Sequence, residues 1–267
     1  MTIRDWIRDK EINGQPTFAV EEVQNSFPKL SVQVIKNELF RLTTQRSIVP
    51  VYRGFYVIIP PQYAAKGIVP PLYYIDQLMD RLNKPYYISL LSAAELLGAA
   101  HQRPQKFSVT TVFPKSTVSV AKNGLLFWSY RKEIPTDFLL TKNSETGTIR
   151  YSNAELTALD LVQYEQYVGG LSRVATVLLE LSEQTDFSRA SQALFKYTTV
   201  ATIQRLGYIL EEVLERPESA EVLYKELTAY VKRFKYIPLS TRRVGKSSVK
   251  NCRWKINVNL DIEIDEI

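Results

Sequence analysis

A chain of 267 residues, 45% of them hydrophobic, can bury the core of one large domain or two ordinary ones, and no apolar run approaches the ~20 residues of a membrane span. A single cysteine, Cys252, excludes an internal disulfide and any cysteine-based zinc site, and a single histidine, His101, leaves little room for histidine chemistry. The net charge of +6 permits an anionic partner, and the start Met-Thr-Ile-Arg-Asp-Trp lacks a signal-peptide apolar stretch, so the cytoplasm is the expected location.

Residues 2–9 predict a short helix with Ile3, Trp6 and Ile7 inward, ended by Asn13-Gly14-Gln15-Pro16. Residues 18–25 predict a second helix, with Phe18, Val20 and Val23 apolar, and Phe27-Pro28-Lys29 turns into a third. The third begins at Ser31, a good N-cap, and Ile35, Leu39 and Leu42 recur at helical spacing. At about 100° per residue these three face one side, while Gln33, Lys36, Asn37, Phe40 and Thr44 face the other with Arg41 at the edge. Amides, a hydroxyl and cations are the groups that reach base edges and phosphates. Two short runs, 48–52 and 55–59, follow across Arg53-Gly54, and Gly54 suits the positive φ of a tight hairpin. A helix with a polar outer face followed by a basic-tipped hairpin is the layout of a winged helix-turn-helix, although an ordinary amphipathic helix and hairpin satisfy the same pattern.

Pro60-Pro61 and Pro70-Pro71 interrupt any strand ladder, which puts a domain boundary near 60–70: a winged helix-turn-helix over 1–62 and a larger domain over 63–267. Next come a helix over 72–82, a short strand or turn over 86–89, and a small-residue helix over 92–100 capped by Ser92. From Lys106 the period switches to two, with strands expected at 107–113, 116–120, 125–131, 138–141 and 148–152 and turns at Lys122-Asn123-Gly124. Amphipathic helices fill about 153–232, and strict alternation from Trp254 to Ile264 predicts a terminal strand. The fold class expected is α+β, an N-terminal winged helix-turn-helix followed by a larger mixed α/β domain.

The charge is uneven. Lys232, Arg233, Lys235, Arg242, Arg243, Lys246, Lys250, Arg253 and Lys255 follow one another with no acidic residue between them, and the chain then ends in an acidic run. Nothing makes a positive case for an enzyme. His101 follows a helix end, a place where a histidine often serves the helix C-terminus, and Cys252 reads as a bystander thiol beside Lys250 and Arg253. Val244-Gly-Lys-Ser-Ser248 lacks the first glycine of a P-loop, that position being Ser240, and Gly169-Gly170 reads as a helix break. No carboxylate cluster has metal-ligand spacing, and no cofactor is expected. Tyr52, Tyr56, Tyr73, Tyr74, Tyr86 and Tyr87 read as packing residues around the domain junction rather than base-stacking ones.

Tyr52-Arg-Gly-Phe-Tyr-Val-Ile-Ile-Pro-Pro61, Tyr86-Tyr-Ile-Ser-Leu-Leu-Ser-Ala-Ala-Glu-Leu-Leu-Gly98, Arg103-Pro-Gln-Lys-Phe-Ser-Val-Thr110, Ala158-Leu-Asp-Leu-Val162 and Arg253-Trp-Lys-Ile-Asn-Val-Asn259, in this order and spacing, resemble the AbiEi-like antitoxins of bacterial type IV toxin–antitoxin and abortive-infection systems. The resemblance spans nearly the whole chain. It implies a winged helix that represses its own promoter by binding repeats, and a C-terminal part that neutralises a nucleotidyltransferase-like toxin without a stable complex. It carries DNA contact onto Ser31, Gln33, Lys36, Asn37, Arg41 and Arg53, and antitoxicity onto the basic stretch with Lys232, Arg233, Lys235, Arg242, Arg243 and Lys246. The residues themselves leave two alternatives open: a stand-alone regulator whose C-terminal domain senses a ligand or a protein, and a nucleic-acid-processing enzyme.

Overall fold

The computed structural model describes residues 1–99, 104–114, 126–188, 191–242 and 249–264. The chain divides into two units that interleave in sequence. The first comprises Met1–Tyr87, Gln105–Ile134 and Thr141–Arg150, the second Ile88–Pro104, Pro135–Leu140 and Tyr151–Ile267. The proline-rich stretch at 60–71 therefore lies inside the first unit.

The first unit opens with α1 (Ile3–Ile12), β1 (Thr17–Ala19), α2 (Val20–Ser26), α3 (Val32–Thr44), β2 (Ile48–Tyr52) and β3 (Phe55–Ile58). Thr2 and Asp5 form a capping box at the start of α1, and the Ser31 hydroxyl accepts from the Val34 N–H at 3.3 Å to start α3. Ile3, Ile7, Phe18, Val23, Ile35, Leu39, Leu42, Ile48 and Ile58 make one core, so this segment buries its own apolar faces. Trp6 meets Phe18 edge-on at 5.5 Å.

One element differs from expectation. Thr17–Ala19 is a strand and α2 begins only at Val20, because Phe18 pairs with Tyr56 of β3 and stacks on its ring at 5.4 Å. The sheet is thus three-stranded, in the order β1-β3-β2, rather than a bare hairpin.

After α4 (Pro61–Ala64) and α5 (Ile75–Arg81) come β4 (Tyr86–Ile88), β5 (Phe107–Val112), β6 (Leu126–Arg131), β7 (Leu139–Ser144) and β8 (Gly147–Ser152). They form a five-stranded sheet in the order β6-β5-β4-β8-β7. β5 and β6 run parallel, pairing Phe107 with Leu126 through Val112 with Arg131, rather than as a hairpin. The strand expected at 116–120 and the turn at 122–124 lie outside the described residues. The short strand β4 is central and wholly buried. Tyr74, Tyr86 and Tyr87 are buried and Tyr52, Tyr56 and Tyr73 half-buried, as packing residues are. The Tyr86 hydroxyl donates to Asp76 at 3.0 Å, and burial raises its pKa.

The second unit is mainly helical: α6 (Leu90–Leu96), α7 (Ala154–Gln163), α8 (Glu165–Val168), α9 (Leu171–Leu181), α10 (Ser191–Phe195), α11 (Val200–Tyr208) and α12 (Pro217–Tyr230). α6 starts after Ser89 rather than at Ser92, which is buried inside it. Gly169 and Gly170, at φ 106° and 92°, break α8 from α9, the conformation for which glycine is suited. α11 runs on into a single π turn, Ile209–Val213.

The expected terminal strand is mostly absent. After α12, among the described residues, only β9 (Ile237–Pro238), β10 (Val249–Asn251) and β11 (Ile256–Val258) pair, in the order β10-β11-β9. Trp254 instead sits in the turn between β10 and β11, where the Asn251 side chain accepts from its N–H at 2.8 Å. Alternation in sequence does not by itself supply a partner strand, and beyond Val258 none pairs with this segment among the described residues.

Candidate nucleic-acid interface

α3 is where the sequence-derived site takes shape. Ile35, Leu39 and Leu42 are buried in the small core, and the opposite stripe of Gln33, Lys36, Asn37, Phe40 and Thr44 is exposed along its length. Phe40 lies along the middle of that stripe and is 76% exposed. Gln33 donates its amide to Asn37 at 2.9 Å, so two base-reading groups are held side by side. The Thr44 hydroxyl donates to the Phe40 carbonyl at 3.0 Å and keeps only acceptor capacity outward. Lys36 carries no ion pair among the described residues, and Ser31 is exposed at the N-terminal end as the cap.

Arg41 stands apart from the others. Its guanidinium forks onto Glu38, at 2.8 Å through Nε and 2.5 Å through an Nη. That hydrogen bond holds the Glu38 carboxyl below the usual carboxylate range. An exposed pair at this spacing contributes little to stability, but it offsets the positive charge Arg41 would offer a phosphate. The signal was present in the sequence as an acid three residues before a cation. On the same flank, Val34, Glu38 and Arg41 line a groove of about 790 Å³, walled also by Met1, Ile3, Phe27 and Leu30.

The hairpin turn is the second part. Arg53 is exposed between β2 and β3, and Gly54 takes φ 64° with its carbonyl accepting from the Val20 N–H at 2.8 Å. A Cβ on Gly54 would sit 3.3 Å from Val20, so this position is tight as well as left-handed.

The basic stretch at the end of the chain is partly described. Lys232, Arg233, Lys235 and Arg242 are exposed, whereas Arg243 and Lys246, like His101 and the whole of 244–248, lie outside the described residues. Arg253 is bound inward by Glu211 at 2.6 Å and by Glu221, with the centre of the Tyr224 ring 4.5 Å from its guanidinium carbon. No group of three or more His, Cys, Asp or Glu could hold a metal ion among the described residues. No helix among them is long and apolar enough to cross a membrane.

The fold is similar, with a TM-score of 0.69 over 94% of this chain and 88% of the other, to the crystal structure of the RV2827C protein from Mycobacterium tuberculosis. At 13% identity the likeness is one of fold. No curated protein matches the chain. Residues 87–212 match the model of the AbiEi antitoxin C-terminal domain. The match covers β4 to the π turn and leaves both α3 and the basic stretch outside it. That match, over just under half of the chain, supports a likeness to the AbiEi-type antitoxins.

Proposed function

We propose that the chain is the antitoxin of a type IV toxin–antitoxin pair and also represses its own promoter. The observation that carries the antitoxin part is the family match over 87–212. The repressor part rests on the exposed stripe of α3 beside the Arg53 turn, within an α1-β1-α2-α3-β2-β3 order that suits a winged helix-turn-helix. In this reading α3 enters the major groove of promoter repeats. Gln33 and Asn37 meet base edges, Lys36 and Arg53 meet phosphates, and Ser31 meets the DNA backbone at the start of the helix. The working division is functional: residues 1–62 bind DNA, and residues 63–267, with Lys232, Arg233, Lys235, Arg242, Arg243 and Lys246, serve neutralisation. The partner is a nucleotidyltransferase-like toxin, antagonised without a stable complex.

The test uses the full chain, because the first unit draws on sequence as far as Arg150. Co-expression with the product of the adjacent gene should restore growth, and the two proteins should not co-purify. A Gln33→Ala, Asn37→Ala double variant should release a promoter reporter while still restoring growth. A neighbour that is not toxic, or a full chain that fails to rescue, removes the antitoxin reading. A double variant that neither rescues nor represses would remove the division of labour.

A further inference from the structure

The turn and strands that end the chain place two lysines on one exposed tyrosine. Lys250 Nζ lies 5.7 Å and Lys255 Nζ 5.4 Å from the centre of the Tyr236 ring, which is 41% exposed. The neighbouring Cys252 side chain raises the pKa of the Tyr236 hydroxyl. Lys255 takes φ 52°, a left-handed conformation that a lysine adopts at a cost. Its carbonyl is fixed there by the Ile237 N–H at 3.0 Å.

The charge around this ring is unbalanced. The carboxylates that reach this turn meet its other residues: Glu211 and Glu221 hold Arg253, Glu212 holds Asn251, and Glu211 also takes the Trp254 indole N–H. Lys250, Lys255 and the neighbouring exposed Lys235 have no ion pair among the described residues. Two ammonium groups that share one ring repel each other, and the exposed cation–π contacts that hold them are weak and readily exchanged. An aromatic face bordered by unpaired cations is the arrangement that takes a base on the ring and the phosphates on either side of it on the cations.

We propose that Tyr236, Lys250 and Lys255 form a binding site for single-stranded nucleic acid, separate from the duplex-binding face of α3. The base stacks on Tyr236 while Lys250 and Lys255 swing from the ring to adjacent phosphates, and Lys235 extends the backbone track. The site lies beyond residues 87–212 and does not depend on promoter binding.

The experiment is fluorescence anisotropy with the full chain and labelled 12-nucleotide single strands, one RNA and one DNA of the same sequence, beside the matching 12-base-pair duplex. A Lys250→Ala, Lys255→Gly double variant should weaken single-strand binding tenfold or more and flatten its salt dependence by about 0.7 in slope for each phosphate no longer neutralised. Glycine suits the left-handed backbone at 255, so weaker binding there does not reflect unfolding. Tyr236→Leu should weaken single-strand binding with the slope unchanged, and Tyr236→Trp should preserve it. Duplex binding should stay within twofold in every variant. A preference between the RNA and DNA strands identifies which source the site takes. The proposal is overturned if the wild type does not bind either single strand, if the variants bind as the wild type does, or if duplex binding falls in parallel.

Discussion

Replacing Gly207 with alanine is expected to destabilise the helical unit by about 1–2 kcal/mol or more, against the usual sign of such a change. An exposed helical glycine gains about 1 kcal/mol on becoming alanine. Here the added Cβ would lie 2.1 Å from two ring atoms of Trp254 and 2.4 Å from a third. The ring has nowhere to go: Trp254 is fully buried, its indole N–H donates to Glu211 at 2.5 Å, and Tyr224 abuts it edge-on at 5.3 Å. Its carbonyl also accepts from Gln204, one helical turn from the glycine, at 2.8 Å. Forcing an extra carbon into such packing costs about 1–3 kcal/mol or more, which outweighs the gain in helix propensity. Thermal denaturation followed by circular dichroism checks this, with a fall of about 2–4 °C for each kcal/mol of stability removed. Trp254→Leu should also destabilise, and combining the two should cost less than their sum, because the second change removes the atoms the first strikes. An unchanged or higher melting temperature in Gly207→Ala would show that the glycine is not the seat of the tryptophan.

The second large effect is expected on DNA. Alanine at Gln33 or Asn37 should relax sequence preference at the promoter by about 1–3 kcal/mol for each base edge no longer read, as measured by competition between operator and scrambled duplex. Lys36→Ala and Arg53→Ala should weaken binding to both duplexes and flatten the salt slope by about 0.9 for each phosphate. Arg41 should behave differently from these two. With Glu38 forked onto it, Arg41→Ala should change affinity little, whereas Glu38→Gln, which leaves the guanidinium without its counter-charge, should tighten binding and steepen the slope. Phe40 gives a finer reading: if it rests on a thymine methyl, deoxyuridine in the operator should weaken the wild type but not Phe40→Ala. Equal affinities across all of these variants would remove α3 as the interface.

How far the sequence leads depends on the range of the force that shapes each element. Ile35, Leu39 and Leu42 were legible because a helix carries its own period, and the exposed stripe follows once the buried one is known. Gly54 and the Gly169-Gly170 break were legible because positive φ belongs to one residue type. β1 was not, since three residues acquire strand geometry only from Tyr56, far along the chain. The interleaved units and the parallel pairing of β5 with β6 are likewise set by distant contacts. Alternation after Trp254 misled because it reports which side chains are apolar and not whether a neighbouring strand exists. On α3, the stripe was visible from residue types, but the capture of Arg41 by Glu38 required weighing a neighbour on the same helix.

The central position of β4 bears on how the chain emerges from the ribosome. Residues 1–58 contain every buried residue of the first core and so have those partners as soon as they are made. Tyr86–Ile88 cannot: its flanking strands are β5 and β8, and the second ends only at Ser152. At elongation rates of about 5–20 residues per second, a buried apolar strand waits for seconds with one edge open. The nascent chain is therefore able to acquire its N-terminal module well before the part that matches the antitoxin family, and a ribosome stalled in between would leave a fragment with its own small core, a sticky edge and an incomplete second part.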